Sequence, residues 1–200
     1  MGEDGSMQTV NRAIKVLKSF TREERELTLA DLHHKLNLSK SSLQRILNTF
    51  VKNGFLEKDH KKKTYKLGIE LYYIGKLVEE HSHLISISKP FLKDLCNRLG
   101  ENVYLNVIDN NERKCIAIEK ANHLLMTVSY VGHTSPLHAG ASAKVLLAYQ
   151  DQYRIEEYIR KNPLTNCTGN TITDPDKLRK ELAKIRENGY AISYNERIIG

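Results

Sequence analysis

The chain has 200 residues, 40% apolar and 28% charged, with a net charge of +7 at neutral pH. That length allows one large or two small domains with buried cores, and the composition excludes disordered and fibrous classes. No apolar run approaches a bilayer span and no apolar leader opens the chain, so a cytoplasmic protein with no membrane partner is expected.

The charge is unevenly placed. Residues 7–68 carry 14 Lys and Arg against 6 Asp and Glu, whereas residues 69–200 carry 17 against 16. An acidic partner is therefore expected for the first third and a different task for the rest. Cys96, Cys115 and Cys167 stand far apart, outside any CxxC or Cys/His spacing, which indicates neither a disulfide framework nor a zinc site. His81 and His83 are two residues apart on a helical stretch and so diverge. No metal and no cofactor are expected. Residues 1–6, "MGEDGS", read as a disordered lead-in or cloning scar outside the fold.

In chain order, "TVNRAIKVLKSF" predicts an amphipathic helix with Val10, Ala13, Ile14, Val16, Leu17 and Phe20 on its apolar stripe. "ELTLADLHHKL" predicts a short helix capped by Thr28, with Asp31 in its first turn and Leu29, Leu32 and Leu36 facing inward. Asn37 suits the left-handed residue that ends it. "LSKSSLQRILNTFVKNGFL" predicts a third helix, capped by Ser39 or by a rival box of Ser41 with Gln44, and ended at Gly54. Leu43, Ile46, Leu47 and Phe50 share one face. Ser41, Gln44, Arg45, Asn48 and Lys52 share the other, with no acid among them.

A polar face on an isolated helix is ordinary solvated surface, so the flanks decide. The short helix and tight turn before it have helix-turn-helix spacing. After it, "FLEKDHKKKTYKLG" predicts a hairpin with strands at Phe55–Glu57 and Thr64–Leu67 and a tip at Asp59–Lys63. A lysine-tipped hairpin beside such a helix reads as a wing that adds salt-dependent affinity for the phosphate backbone. Residues 7–68 are thus expected to form a winged helix-turn-helix DNA-binding domain. Ser41, Gln44, Arg45 and Asn48 are assigned to bases, and Ser39, Lys40, Lys61, Lys62 and Lys63 to phosphates. Ser42 and Tyr65 complete the expected contact set.

"IELYYIGKLVEEHS" predicts a linker helix over 69–83, with Leu71, Ile74, Leu77 and Val78 on one stripe and Tyr72 and Tyr73 available to a partner subunit. The next helix, in "LISISKPFLKDLCNRLG", is expected to start near Lys89 or Pro90. "ENVYLNVIDNNERKCIAIEKA" reads as a hairpin turning at Asp109-Asn110-Asn111, and "LLMTVSYVG" as a third strand. Strands followed by helices imply an α+β fold with an antiparallel sheet. In "SPLHAGASAKVLLAY", the run Ala139, Gly140, Ala141, Ser142, Ala143 lets backbone approach either a ligand or a packed neighbour. A helix begins among these residues, and its free N–H groups would suit a carboxylate or phosphate. Leu125, Met126 and Val128 offer an apolar wall or a core contribution, and His138 reads as a packed structural histidine.

Taken together these segments resemble the IclR-type transcriptional regulators. The resemblance runs from "TVNRAIKVLKSF" through "TYKLG", then through "LGENVYLNVIDNNERKCIAIEKA", "SPLHAGASAKVLLAY" and "LRKELAKIRENGYAISYNERIIG" in that order. It implies a GAF-like effector-binding domain over 84–200, with Gly140, Ala141 and Ser142 at the effector and Asn195 and Glu196 at the pocket rim. Asn37 stands where the family commonly has Gly. The family pattern also continues beyond Gly200, so the C-terminal part of the effector domain is expected to be missing. The implied function is a sequence-specific repressor, dimeric or tetrameric, on a palindromic operator in double-stranded DNA. Its effector is expected to be a small carboxylate or an aromatic acid. Two rival readings are a hydrolase-like enzyme pairing Ser142 or Cys115 with His138, and a winged-helix protein-interaction module. No nucleophile elbow or Gly-rich phosphate loop supports the first, and no catalytic residues are assigned.

Overall fold

The computed structural model describes residues 7–122 and 129–199, so Leu125, Met126 and Val128 lie outside the described residues. The chain divides after Ser82 into two units.

The first unit runs α1 (Gln8–Lys18), β1 (Leu27–Thr28), α2 (Leu29–Leu36), α3 (Lys40–Lys52), β2 (Leu56–Asp59), β3 (Thr64–Leu67) and α4 (Glu70–His81). The expected local signals set its helix ends. Thr28 accepts the Asp31 N–H through its hydroxyl, and the Asp31 carboxylate accepts the Thr28 N–H at 2.8 Å, a reciprocal capping box. Asn37 takes the left-handed conformation, with φ 52°. Ser39, not Ser41, caps α3 by accepting the Ser42 N–H. Val16, Phe20, Leu27, Leu32, Leu43, Leu47, Leu56 and Tyr65 form the core.

Three expectations for this unit change. Val10 and Ile14 are 49% and 44% exposed, because they lie at one edge of the apolar arc of α1, beyond the reach of its neighbours. The hairpin strands reach Asp59, so the tip narrows to residues 60–63, while the Phe55 N–H is held by the Phe50 carbonyl instead of a strand partner. Strand β1 was not expected. It pairs Leu27 with Tyr65 and gives a three-stranded sheet in the order β1-β3-β2.

The second unit comprises α5 (His83–Leu99), β4 (Val103–Asp109), β5 (Glu112–Glu119), β6 (Thr134–Pro136), α6 (Ala141–Ala148), α7 (Gln152–Lys161) and α8 (Pro175–Asn188). Asp109 pairs with Glu112 across Asn110 and Asn111, both at positive φ, which is the tight turn the sequence predicts. Helix α5 starts well before Pro90 and runs through it: the fixed φ of proline is helical, at the cost of the bond to the Ser86 carbonyl and of crowding between that carbonyl and the ring. The described part of the expected third strand, residues 129–132, is not a strand. Gly132 turns there at φ 89°, and the strand that pairs with β5 is Thr134–Pro136. Helices α6, α7 and α8 enclose Leu137, Leu147, Ile155, Tyr158, Leu178, Leu182 and Ile185.

Candidate DNA interface and effector pocket

In the first unit, burying Leu43, Ile46 and Leu47 turns the opposite face of α3 outward. Ser39, Lys40, Ser41, Arg45 and Asn48 are exposed, while Ser42 and Gln44 are half-buried. The Gln44 Nε2 donates to Asn48 Oδ1 at 2.8 Å and to the Tyr65 hydroxyl at 3.3 Å. This network fixes the Gln44 and Asn48 amides side by side, with no hydrogen-bond partner for Gln44 Oε1 or Asn48 Nδ2 among the described residues. Tyr65, expected among the DNA contacts, is 2% exposed and packs in the core, with its hydroxyl accepting from Gln44.

The wing tip is shaped by Asp59, whose Oδ1 accepts the backbone N–H groups of Lys61 at 2.8 Å and Lys62 at 3.0 Å. Those two bonds, with the Lys62 charge beside them, hold its carboxyl below the usual aspartate range. Lys61, Lys62 and Lys63 are all exposed. Lys62 lies 3.4 Å from Glu26, with its side chain still 63% exposed. The sequence pattern gave no sign of Arg12, which shares a surface groove of about 510 Å³ with Ser41, Arg45 and Thr49. Its placement depends on how α1 packs, which periodicity alone does not give.

In the second unit, Gly140, Ala141, Ser142, Asn195 and Glu196 meet around one open cavity of about 500 Å³, together with Ser135, Ser193 and Arg197. The small-residue run does start a helix, with Gly140 at φ 91°, ψ 155° as its N-cap residue. Its first N–H groups are not free, however. Gly140 N–H donates to Glu196 Oε2 at 3.0 Å and Ala141 N–H to Ser193 Oγ at 3.1 Å. The other Glu196 oxygen accepts from Lys144 Nζ at 2.6 Å, and Lys144, 1% exposed, also reaches Glu181 at 2.8 Å. An anion that suits this helix start is thus supplied by the chain itself, by Glu196, which also lines the cavity. Asn195, at φ 53°, is held through its carbonyl by the Thr168 hydroxyl.

His138 is fully buried. Its Nδ1 accepts from the Tyr158 hydroxyl at 2.9 Å and its Nε2 donates to the Thr165 carbonyl at 3.0 Å, so both ring nitrogens are engaged. Burial pushes the Cys115 thiol up, away from the thiolate a nucleophile needs. Among the described residues no group of three or more His, Cys, Asp or Glu could hold a metal ion, and no helix is long and apolar enough to cross a membrane.

Two family profiles match the chain: the IclR helix-turn-helix domain over residues 9–60 and the bacterial transcriptional regulator IclR C-terminal domain over residues 76–200. The chain belongs to the IclR family. It is similar to the HTH-type transcriptional regulator KipR of Bacillus subtilis, 32% identical over 189 residues, which cover 94% of this chain and 75% of that one. The transcriptional repressor IclR of Escherichia coli is 25% identical, over 98% of this chain and 72% of its own. A crystal structure of an IclR homologue complexed with 4-hydroxybenzoate, from Microbacterium hydrocarbonoxydans, superimposes with a TM-score of 0.79 at 26% identity. It covers 92% of this chain and 76% of that one. This IclR-family protein is accordingly a DNA-binding transcriptional regulator and not an enzyme, with an α+β fold in which helix-turn-helix and antiparallel-sheet parts follow one another.

Proposed function

We propose that the protein is a cytoplasmic repressor whose affinity for a palindromic operator is set by a small carboxylate or aromatic acid bound in the second unit. The observation that carries the DNA side is the outward face of α3. Arg45 makes no ion pair among the described residues, and the two amides beside it are pre-set by Tyr65. Ser41, Gln44, Arg45 and Asn48 read base edges, with Arg45 suited to guanine. Ser39, Lys40 and Ser42 at the helix start, together with the wing lysines, hold phosphates, and Arg12 joins them. The cavity around Gly140, Ala141, Ser142 and Asn195 supports the effector reading, since about 500 Å³ lies within the range of small-molecule sites. The E. coli relative is named a repressor and the Microbacterium relative is described with 4-hydroxybenzoate, which supports that sign of control and that ligand class. A dimer would place two copies of α3 one DNA turn apart. The exposed Tyr72, Ile74, Leu77 and Val78 of α4 offer the apolar surface for such pairing.

The test is a gel-shift series on an operator recovered by selection from random duplexes, beside a scrambled duplex, across a salt titration. Arg45→Ala is expected to remove roughly 1–3 kcal/mol of discrimination while leaving scrambled binding nearly intact. Replacing Lys61, Lys62 and Lys63 by Ala is expected to weaken both duplexes and flatten the salt slope by about one unit for each phosphate no longer neutralised. Equal losses from the two changes on both duplexes would refute the division between reading and holding.

A further inference from the structure

The unexpected strand β1 makes Tyr65 the middle residue of a cross-strand row. Leu27 stands opposite it on β1 and Lys58 opposite it on β2. Residues opposed across an antiparallel pair share a face, so Tyr65 has a neighbour on either side. Leu27 is 4% exposed, and the Lys58 ammonium lies 5.4 Å from the centre of the Tyr65 ring, close enough for a cation–π contact. Tyr65 itself is buried, so the sheet and the core together fix where its hydroxyl sits. That hydroxyl accepts from Gln44 Nε2 at 3.3 Å, across 21 positions of sequence.

A buried tyrosine hydroxyl usually finds a partner, and a bond made only to satisfy it would be the ordinary reading. The donor count at Gln44 argues for more. A carboxamide nitrogen carries two hydrogens, and Gln44 gives one to Asn48 Oδ1 at 2.8 Å and the other to Tyr65. Nothing is left on Nε2 for a base. Gln44 keeps only its oxygen, an acceptor, while Asn48, exposed one turn on, keeps its amide hydrogens as donors. In the major groove only adenine N6 and cytosine N4 offer a hydrogen to such an acceptor, whereas guanine and thymine present acceptors there.

We propose that Tyr65 is a positioning residue for base recognition: its hydroxyl restricts Gln44 to accepting, so that Gln44 selects a base carrying an amino group, adenine or cytosine. This rests on the reading of α3 as the base-reading face and names the class of base that one of its residues meets. The wing then serves recognition through its strands as well as its lysine tip, because β1 and β2 hold the ring that holds the amide. Without the hydroxyl the second hydrogen is released, and Gln44 accepts and donates alike. The reverse arrangement, with the hydroxyl donating to Gln44 Oε1, would leave Gln44 its hydrogens and favour guanine or thymine.

The full chain would be used to select an operator from random duplexes, and affinities measured with each base pair of that operator replaced in turn. The base pair met by Gln44 is the one whose discrimination Gln44→Ala removes, and adenine or cytosine is expected there. Tyr65→Phe is expected to reduce that discrimination roughly 5- to 10-fold, leaving the preferences at the other positions in place. In the Gln44→Ala background Tyr65→Phe should change no preference further. Gln44→Glu, which leaves Tyr65 untouched and can only accept, is expected to bind all duplexes more weakly yet keep the preference for an amino-bearing base. The Tyr65 assignment would be overturned, with base reading by α3 left standing, by a preference for guanine or thymine at that position, by an even loss on every duplex from Tyr65→Phe, or by no change from it. Discrimination that survives Gln44→Ala everywhere would overturn it too. A selection that enriches no sequence with the unaltered chain would overturn both.

Discussion

Helices α3 and α6 both begin with small residues, and both beginnings look from the sequence like places for an anion. At α3 the Ser39 hydroxyl takes one N–H, the Lys40 and Ser41 side chains stay exposed, and the surroundings are basic. At α6 a carboxylate and a hydroxyl from residues more than fifty positions away take the first two N–H groups, and a buried lysine neutralises that carboxylate. One start keeps its basic side chains exposed to solvent; at the other the chain itself takes the first two N–H groups. Whether a helix start receives a ligand therefore depends on what the rest of the chain brings to it, and less on the dipole common to all helices.

The sharpest way to break this contrast is to remove the cation that balances Glu196. Lys144→Met leaves Glu196 charged, nearly buried and without its cation, and is expected to cost about 3–5 kcal/mol in urea unfolding of the second unit. A loss well under 1 kcal/mol would mean that water, not Lys144, balances Glu196. The open start is expected to be far more tolerant. Ser39→Ala removes only a cap and should cost about 1 kcal/mol, with a further drop in affinity for both matched and scrambled duplexes, because the α3 N–H groups then lose their set orientation. A stability loss as large as that of Lys144→Met would erase the distinction.

The smallest effect belongs to α2, whose start is closed by its own Asp31. The Thr28 backbone N–H, and then its hydroxyl, hold the Asp31 carboxyl below the usual aspartate value. The folded value is below the unfolded one, so the associated stability is fully present above the unfolded value and is lost as pH falls through the folded one. Unfolding midpoints between about pH 5 and pH 2 should therefore fall less steeply for Asp31→Asn than for the unaltered chain. Identical slopes would show that the capping box does not persist in solution.

Local signals made the first unit readable. Caps, the left-handed Asn37 and the two faces of α3 depend on neighbours within a turn or two, and each appears where the pattern puts it. Strand β1 was not readable because two residues show no alternation. The burial of Tyr65 was not legible, because a tyrosine in a basic hairpin has no local mark that says which face it takes. In the second unit the small-residue run was legible, but its closure was not, because Glu196 and Gly140 meet only through the tertiary fold. One sign was present: Lys144 is a lone charge in the apolar stretch "ASAKVLLA" and must find a partner if that helix is buried.

The junction between wing and α4 has a mechanical side. A Cβ on Gly68 would sit 2.1 Å from the Gly54 carbonyl oxygen, so the two backbone segments touch with nothing between them. Gly68 N–H donates to the Phe55 carbonyl at 2.8 Å, and Glu70 N–H to that of Gly54 at 3.4 Å. The end of α3 and the beginning of α4 are thereby clamped without slack. A torque applied along α4 would turn α3 with it, so Gly68 is a rigid joint and not a hinge.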